Sequence, residues 1–361
     1  IGAFGIIIAL GFFVLATEIG ADVLLAVSNT VGKVFGYGTE GIKFAFGSLV
    51  NFSVEGIGFV WALQVLPQII FTAALTSLLY YLGIMQWFVL IIGGSLQKVL
   101  GTSRAESMNA AGNIILGQTE APLLIKPYHR VLTRAQIFAV MVGGLASVAG
   151  SVLAGYAGMG VELKYLIAAS FMAAPGGLLM AKMLVPETEQ PKNTLTEIGA
   201  EERSTNVIDA AASGAASGLM LALNVGAMLL AFVGLIALIN GIVGWAGAAV
   251  GVEGLTLQLI FGYIFQPLAF ILGVSWEEAR LAGSFIGQKL VINEFVAYLD
   301  FVKYVQEGKL SEHTQIIVTF ALCGFANFSS IAILLGGLGS MAPSRRSDIA
   351  QLGLKALFAA T

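Results

Sequence analysis

Residues 101–128 read GTSRAESMNAAGNIILGQTEAPLLIKPY, and residues 276–304 read WEEARLAGSFIGQKLVINEFVAYLDFVKY. Each stretch sets polar residues between apolar pieces: Gly117-Gln118-Thr119-Glu120 in the first, Asn293-Glu294 in the second. The pieces of the first stretch fall short of the ~20 apolar residues that a spanning helix needs. What these two interrupted stretches become depends on the solvent around the chain.

That solvent is lipid. Hydrophobic residues make up 57% of the 361 and charged residues 11%, where soluble domains carry about 25% charged residues. A mean hydropathy of +0.89 agrees. Charges this sparse cannot cover a globule of this size in water. The 45 glycines have no collagen period and suit close approach of membrane helices. One cysteine, Cys323, excludes an internal disulfide. No basic patch points to nucleic acid. The chain starts inside one apolar run and stops inside another, so residues are expected to be missing at both ends.

Outward from the two stretches, apolar runs predict spans over residues 1–16, 57–82, 138–158, 165–185 and 316–338, and a last span from Ile349. Residues 207–250 predict one very long helix or a helix with an interfacial tail. Residues 18–50, with Asp22, Lys33, Glu40 and Lys43 spread among apolar residues, read as interfacial, as do residues 85–100. Residues 186–206 read as a charged loop. Pro267 breaks the apolar run 255–274. If the first interrupted stretch begins and ends in the cytoplasm, Lys98, Arg104, Lys126, Arg130, Arg134, Lys182, Lys192, Arg203, Arg345 and Arg346 are all inside, 10 of 18 basic residues. Lys33, Lys43, Lys164, Lys303 and Lys309 are then outside.

The two stretches also align. Gly101 and Glu106 match Gly273 and Glu278 at an offset of 172, and Thr119-Glu120 matches Asn293-Glu294 at 174. Residues 144–150, GLASVAG, match residues 324–330, GFANFSS, at 180. One copy enters from the cytoplasm and the other from outside, so the copies are inverted. Inverted repeats with paired interrupted segments point to the binding site of a secondary transporter. An irregular tip at membrane depth must line a cavity or pack in protein. Alternatively, both stretches are ordinary surface loops with apolar neighbours.

Glu120 and Glu294 are then carboxylates between apolar runs, costly in lipid and expected to face a wet cavity. With Gln118, Thr119 and Asn293 they suit a neutral solute rich in hydroxyl and amide groups; no arginine at either tip would favour an anion. Ser147 and residues 327–330 lie mid-span beside glycine and predict locally unwound helices, whose freed carbonyls coordinate sodium in broken-helix carriers. Asn113 and Ser147 could add side-chain oxygens. The same residues could instead bond helix carbonyls and hold helices together. Lys289 either pairs with an acid or snorkels. His129 and His313 read as solvated loop residues. No metal-ligand cluster, no phosphate loop and no nucleophile–base set is present, so neither an enzyme nor an ATP-driven pump is indicated.

The run Gly287-Gln288-Lys289-Leu290-Val291-Ile292-Asn293-Glu294-Phe295-Val296-Ala297-Tyr298 resembles the signature of the concentrative nucleoside transporter family, Gly-x-Lys-x-x-x-Asn-Glu-Phe-Val-Ala-aromatic, at every fixed position. Residues 117–122 and 324–330 are also similar to family segments. The resemblance covers the whole chain, lies close to bacterial members, and lacks the first spanning helix and most of the last.

It implies an all-α polytopic membrane protein of inverted repeats, with two re-entrant hairpins and partly unwound helices. It also implies a homotrimer in the inner membrane. Scaffold spans would occupy 1–84 and the long helix 207–250, and transport-domain repeats 85–206 and 251–361. Gln118, Thr119 and Glu120 would face a nucleobase, packed by Val152 and Phe325, while Glu294, Asn327 and Ser330 bind the ribose hydroxyls. Sodium, the coupling ion, would sit on Asn113, Ser147 and the carbonyls of Leu116 and Val148. The expected activity is sodium-coupled import of nucleosides such as uridine, with no cofactor. Proton coupling, or sodium-coupled carriage of another small polar solute such as an amino acid, are the alternatives.

Overall fold

The computed structural model describes residues 2–47, 49, 53, 54, 58, 59, 61–129, 131–190 and 204–361. Among these, the chain is almost wholly helical, apart from a short antiparallel ladder pairing Ser53–Val54 with Gly58–Phe59. Helices α1 (Gly2–Ala16), α2 (Glu18–Phe46) and α3 (Trp61–Tyr81) open the chain. The expected segment ends at Val50 and Ile57 lie outside the described residues. Helix α2 has the length and hydropathy of a span. The interfacial reading of that segment therefore rests on its spaced charges alone.

Helix α9 (Val207–Ala249) is continuous over 43 residues, roughly 65 Å at ~1.5 Å per residue. That is about twice the ~30 Å hydrocarbon core. It packs on α3 through a stripe of small residues, Gly214, Gly218, Ala222 and Gly226, all buried. A methyl group added at Gly218 would lie 2.9 Å from the Ile70 Cα. The helices thus touch backbone to backbone, the packing that small residues permit where lipid supplies no hydrophobic drive.

The remaining helices form two series of the same order. In the first, α4 (Ile84–Leu100) leads to α5 (Arg104–Gly112), a tip, and a 3-10 segment Ala121–Tyr128. A broken pair follows, α6 (Arg134–Ala146) and α7 (Gly150–Gly158), then α8 (Leu163–Leu184). In the second, α10 (Leu257–Ile271) leads to α11 (Trp276–Val291) and α12 (Glu294–Gln306). The broken pair α13 (Glu312–Leu322) and α14 (Phe328–Met341) follows, then α15 (Arg346–Ala360). Helix α10 runs through Pro267 without a break, against the expectation, and the chain instead turns by 116° between α10 and α11.

Capping shows that the copies are built alike. Ser103 and Glu106 form a capping box at the start of α5, and Gln136, three residues into α6, donates from Nε2 to Ser103 Oγ at 2.8 Å. In the second copy Glu278, the counterpart of Glu106, accepts from Ser311 N at 2.8 Å, from Ser311 Oγ at 2.7 Å and from Thr314 Oγ1. Ser311 caps α13 as Thr133 caps α6. In the second copy the acid itself, and in the first copy its capping partner Ser103, is tied to the start of the broken helix, which fixes the base of each hairpin.

Three of the basic residues assigned to the cytoplasmic side, Lys182, Arg134 and Arg345, form ion pairs. Lys182 pairs with Glu106 at 2.5 Å and Glu187 at 3.7 Å, Arg134 and Arg345 pair with Asp348, and Arg345 also bonds the Leu132 carbonyl. Arg130, Lys192 and Arg203 lie outside the described residues, as do the Lys126 side chain and residues 191–203 of the charged loop.

Candidate functional site

Both broken helices part where the sequence places small and polar residues. Helix α6 ends at Ala146, and Ser147, Val148 and Ala149, the first and last of them extended, precede α7. Helix α13 ends at Leu322, and Asn327 caps α14 by accepting from Ser330 N at 2.9 Å. The unwound residues are thus 323–327, and Phe328-Ser329-Ser330, expected to be unwound, are instead the first turn of α14 because the Asn327 side chain caps it. The two breaks meet: Phe325 N donates to Ser147 O at 3.2 Å. A Cβ on Gly324 would stand 3.0 Å from Ala146 O, so only glycine lets the two backbones come this close.

The first hairpin tip sits on this junction. Gly150 N donates to Ile115 O at 2.7 Å, and a Cβ on Gly144 would lie 2.9 Å from the Gln118 Cβ. Asn113 and Gln118 are buried, yet neither polar atom of the Asn113 amide nor Gln118 Oε1 has a hydrogen-bond partner. Among the described residues no backbone N–H donates to the carbonyl of Leu116 or Val148. Ser147 Oγ donates to Gly143 O at 2.9 Å, a bond to its own helix, and keeps its own lone pairs. Glu120 accepts from Gly117 N at 3.2 Å and is exposed, although protein atoms surround it densely. A carboxylate on the wall of an opening has both properties. Thr119 is half-buried, its methyl group against Gly337 of α14.

The second tip carries a closed network. Glu294 is 4% exposed, accepting from Tyr156 OH at 3.0 Å and from Asn327 Nδ2 at 2.9 Å. Asn327 Oδ1 accepts from Ser330 N and from Ser329 Oγ, at 2.6 Å for the latter. Asn293 caps α12 through Val296 N at 2.9 Å. Tyr156 stacks edge-on against Phe295, centroids 4.8 Å apart. Each tip therefore reaches the second half of the other copy's broken helix: Thr119 reaches α14, and Glu294 reaches α7. Both acids border one junction: Gly117, which bonds Glu120, would with a Cβ lie 3.3 Å from the Ala149 Cβ, Phe325 N bonds Ser147 O, Asn327 N bonds Phe325 O, and the Asn327 amide bonds Glu294. Val152 is buried on α7, and Phe325 is half-buried at the break.

Three residues differ from the sequence reading. Lys289 does not snorkel; it is 3% exposed and donates to Ala321 O at 2.9 Å. His129 is buried, its Nε2 2.8 Å from Pro122 O, because the 3-10 segment folds back over it. Tyr156, not among the expected site residues, donates to Glu294. Its only signal was a tyrosine inside an apolar helix, where a hydroxyl needs a buried partner. Elsewhere, a cleft of about 230 Å³ lined by Glu162, Lys164, Tyr165, Phe301, Glu312 and Gln315 lies away from both tips. Among the described residues no cluster of His, Cys, Asp and Glu could hold a metal.

Family models match along nearly the whole chain. "Na+ dependent nucleoside transporter N-terminus" matches residues 1–49, "Nucleoside recognition" matches 62–162, and "Na+ dependent nucleoside transporter C-terminus" matches 165–361. An uncharacterized transporter of Haemophilus influenzae is 57% identical over all of this chain and 87% of its own length. Nucleoside permease NupC of Helicobacter pylori is 52% identical with the same coverage. A solved structure of CNTnw in an inward-facing substrate-bound state is 58% identical, covers 99% of this chain and 88% of that one, and superposes with a TM-score of 0.95.

Proposed function

We propose, for a chain that belongs to the Na+-dependent nucleoside transporter family, that nucleoside and sodium bind together at the junction of the two hairpin tips and the two broken helices. The protein is a symporter, not an enzyme: it imports nucleosides with sodium by alternating access and is integral to the plasma membrane, the inner one in bacteria.

One observation carries the site. The Asn113 amide and Gln118 Oε1 are buried and unpaired. An orphaned buried polar group costs about 1–3 kcal/mol, so its retention on both residues of one tip marks a place completed by a ligand. Asn113 Oδ1, Ser147 Oγ and the carbonyls of Leu116 and Val148 supply four oxygens, the hard neutral donors that suit sodium. Gln118, Thr119 and Glu120 offer donors and acceptors to a nucleobase, packed by Val152 and Phe325. Glu294 and Asn327, already bonded to each other, offer the carboxylate and amide to ribose hydroxyls, with Ser330 beside them.

In this mechanism sodium binds first and orders the first tip, which completes the base side of the pocket. The transport domain, residues 85–206 and 251–361, then moves past a scaffold of 1–84 and 207–250, carrying the two tips as re-entrant hairpins. The assembly is a homotrimer embedded in lipid. One sodium crossing 100 mV yields about 2.3 kcal/mol, and a tenfold sodium gradient adds about 1.4 kcal/mol. Together they support an accumulation of roughly several hundred-fold.

The test is uptake of labelled uridine into proteoliposomes. Replacing sodium by choline at fixed pH abolishes uptake, and unlabelled nucleosides compete where amino acids do not. Uptake that persists in choline and collapses with the proton gradient would assign proton coupling instead. Competition by amino acids alone would assign another solute.

A further inference from the structure

Each copy brings two helix carboxyl ends together. In the first, α5 ends at Gly112 and α6 at Ala146, and a Cβ on Gly143 would lie 3.2 Å from Asn113 Nδ2. In the second, α11 ends at Val291 and α13 at Leu322, and the Lys289 ammonium joins them by its bond to Ala321 O at 2.9 Å. A helix carboxyl end carries a partial negative charge of about half a unit. Two such ends in a dry interior favour a cation between them.

The copies meet this demand differently. At the first junction the polar atoms of Asn113 are orphaned, and among the described residues no lysine or arginine bonds the tip or the break. At the second, Lys289 leaves the last turn of α11 and is buried. Glu294 lies five residues further along, buried like Lys289 and not ion-paired to it, and Tyr156 and Asn327 hold its carboxylate. The carboxylate is therefore free of a salt bridge and still has a fixed positive charge nearby.

We propose that Lys289 is a tethered cation that takes, in the second copy, the position a sodium ion takes in the first, so that it positions Glu294 for substrate and leaves one mobile sodium per protomer. This rests on the sodium site read above for the first copy. A tethered ammonium cannot dissociate. The second tip then stays formed throughout the cycle, only the first tip is ordered by the ion gradient, and coupling resides in one copy of the repeat.

The experiment uses the full chain purified in detergent, with uridine binding titrated against sodium at constant ionic strength in choline. Wild type binds uridine with a sodium Hill coefficient of 1. Lys289→Ser raises the uridine Kd at least tenfold at sodium that saturates wild type. High sodium restores binding, with the Hill coefficient moving towards 2 as a second ion fills the vacated place. Lys289→Arg keeps the wild-type Kd and coefficient. A wild-type Kd and Hill coefficient in Lys289→Ser would overturn the proposal. So would a loss that no sodium concentration restores, which would make Lys289 a structural clamp. Should Lys289→Ser fail to fold, charge moved per uridine by wild type in proteoliposomes decides: one charge supports the proposal and two overturn it. Failure of the underlying sodium site shows separately, as sodium-independent uridine binding by wild type.

Discussion

Replacing Glu294 by glutamine separates holding the fold from binding the substrate. The carboxylate accepts from Tyr156 OH at 3.0 Å and Asn327 Nδ2 at 2.9 Å. Asn327 can only donate there, because its own oxygen is taken by Ser330 N and Ser329 Oγ. The Tyr156 hydroxyl can donate or accept. A glutamine amide therefore fits one way round, with its oxygen on Asn327 and its nitrogen donating to the tyrosine. The internal network survives, and thermal unfolding of Glu294→Gln in detergent stays near that of wild type. What disappears is the charge. A hydrogen bond to a charged group is worth about 1.5–3 kcal/mol, so each ribose hydroxyl that relied on the carboxylate weakens binding roughly 10- to 150-fold. Uridine binding by the purified protein and uptake into proteoliposomes measure this together. A wild-type Kd with wild-type uptake in a folded variant would refute the ribose role of Glu294.

Further outcomes follow from the same geometry. Asn113→Leu removes two unpaired buried polar atoms, so sodium titration of uridine binding shows at least a tenfold loss of sodium affinity, while melting without sodium holds or rises. Gly324→Ala forces a methyl group to 3.0 Å from Ala146 O; overpacking of this kind costs about 1–3 kcal/mol, and both melting temperature and uptake fall. Ser103→Ala deletes the cap of α5 and its bond from Gln136; chemical unfolding reads a loss of about 1 kcal/mol, with uridine Kd little changed. Deoxyuridines lacking a ribose hydroxyl compete with uridine more weakly than uridine itself, and equal competition would remove the sugar from the recognised groups.

The parts of this molecule legible in sequence are those where lipid makes a residue expensive. Glu120 and Glu294 stand out because a carboxylate between apolar runs has few uses there, and the breaks at Ser147 and Asn327 stand out because polar groups beside glycine interrupt otherwise apolar spans. The glycines of α9 were legible as packing residues, though their partner α3 was not. Tertiary choices were hidden. Tyr156 and Lys289 serve residues more than a hundred positions away in one case and across a helix break in the other, and nothing local announces either partner. His129 looked solvated because its neighbours are polar, yet a backbone carbonyl seven residues earlier buries it. Pro267 looked like a break, but one missing N–H does not end a helix that packs along α11. The matching caps of α6 and α13 are present in sequence as Thr133-x-x-Gln136 and Ser311-x-x-Thr314, but their ties to Ser103 in one copy and Glu278 in the other are tertiary contacts that no local pattern carries.

The most direct measurement is an experimental structure of this chain with uridine and sodium bound. Nucleoside density is expected to span the junction, with the base against Gln118 and Glu120, the ribose against Glu294 and Asn327, and sodium beside Asn113. Uridine seated elsewhere, for instance in the cleft between Lys164 and Glu312, with both tips empty, would contradict it.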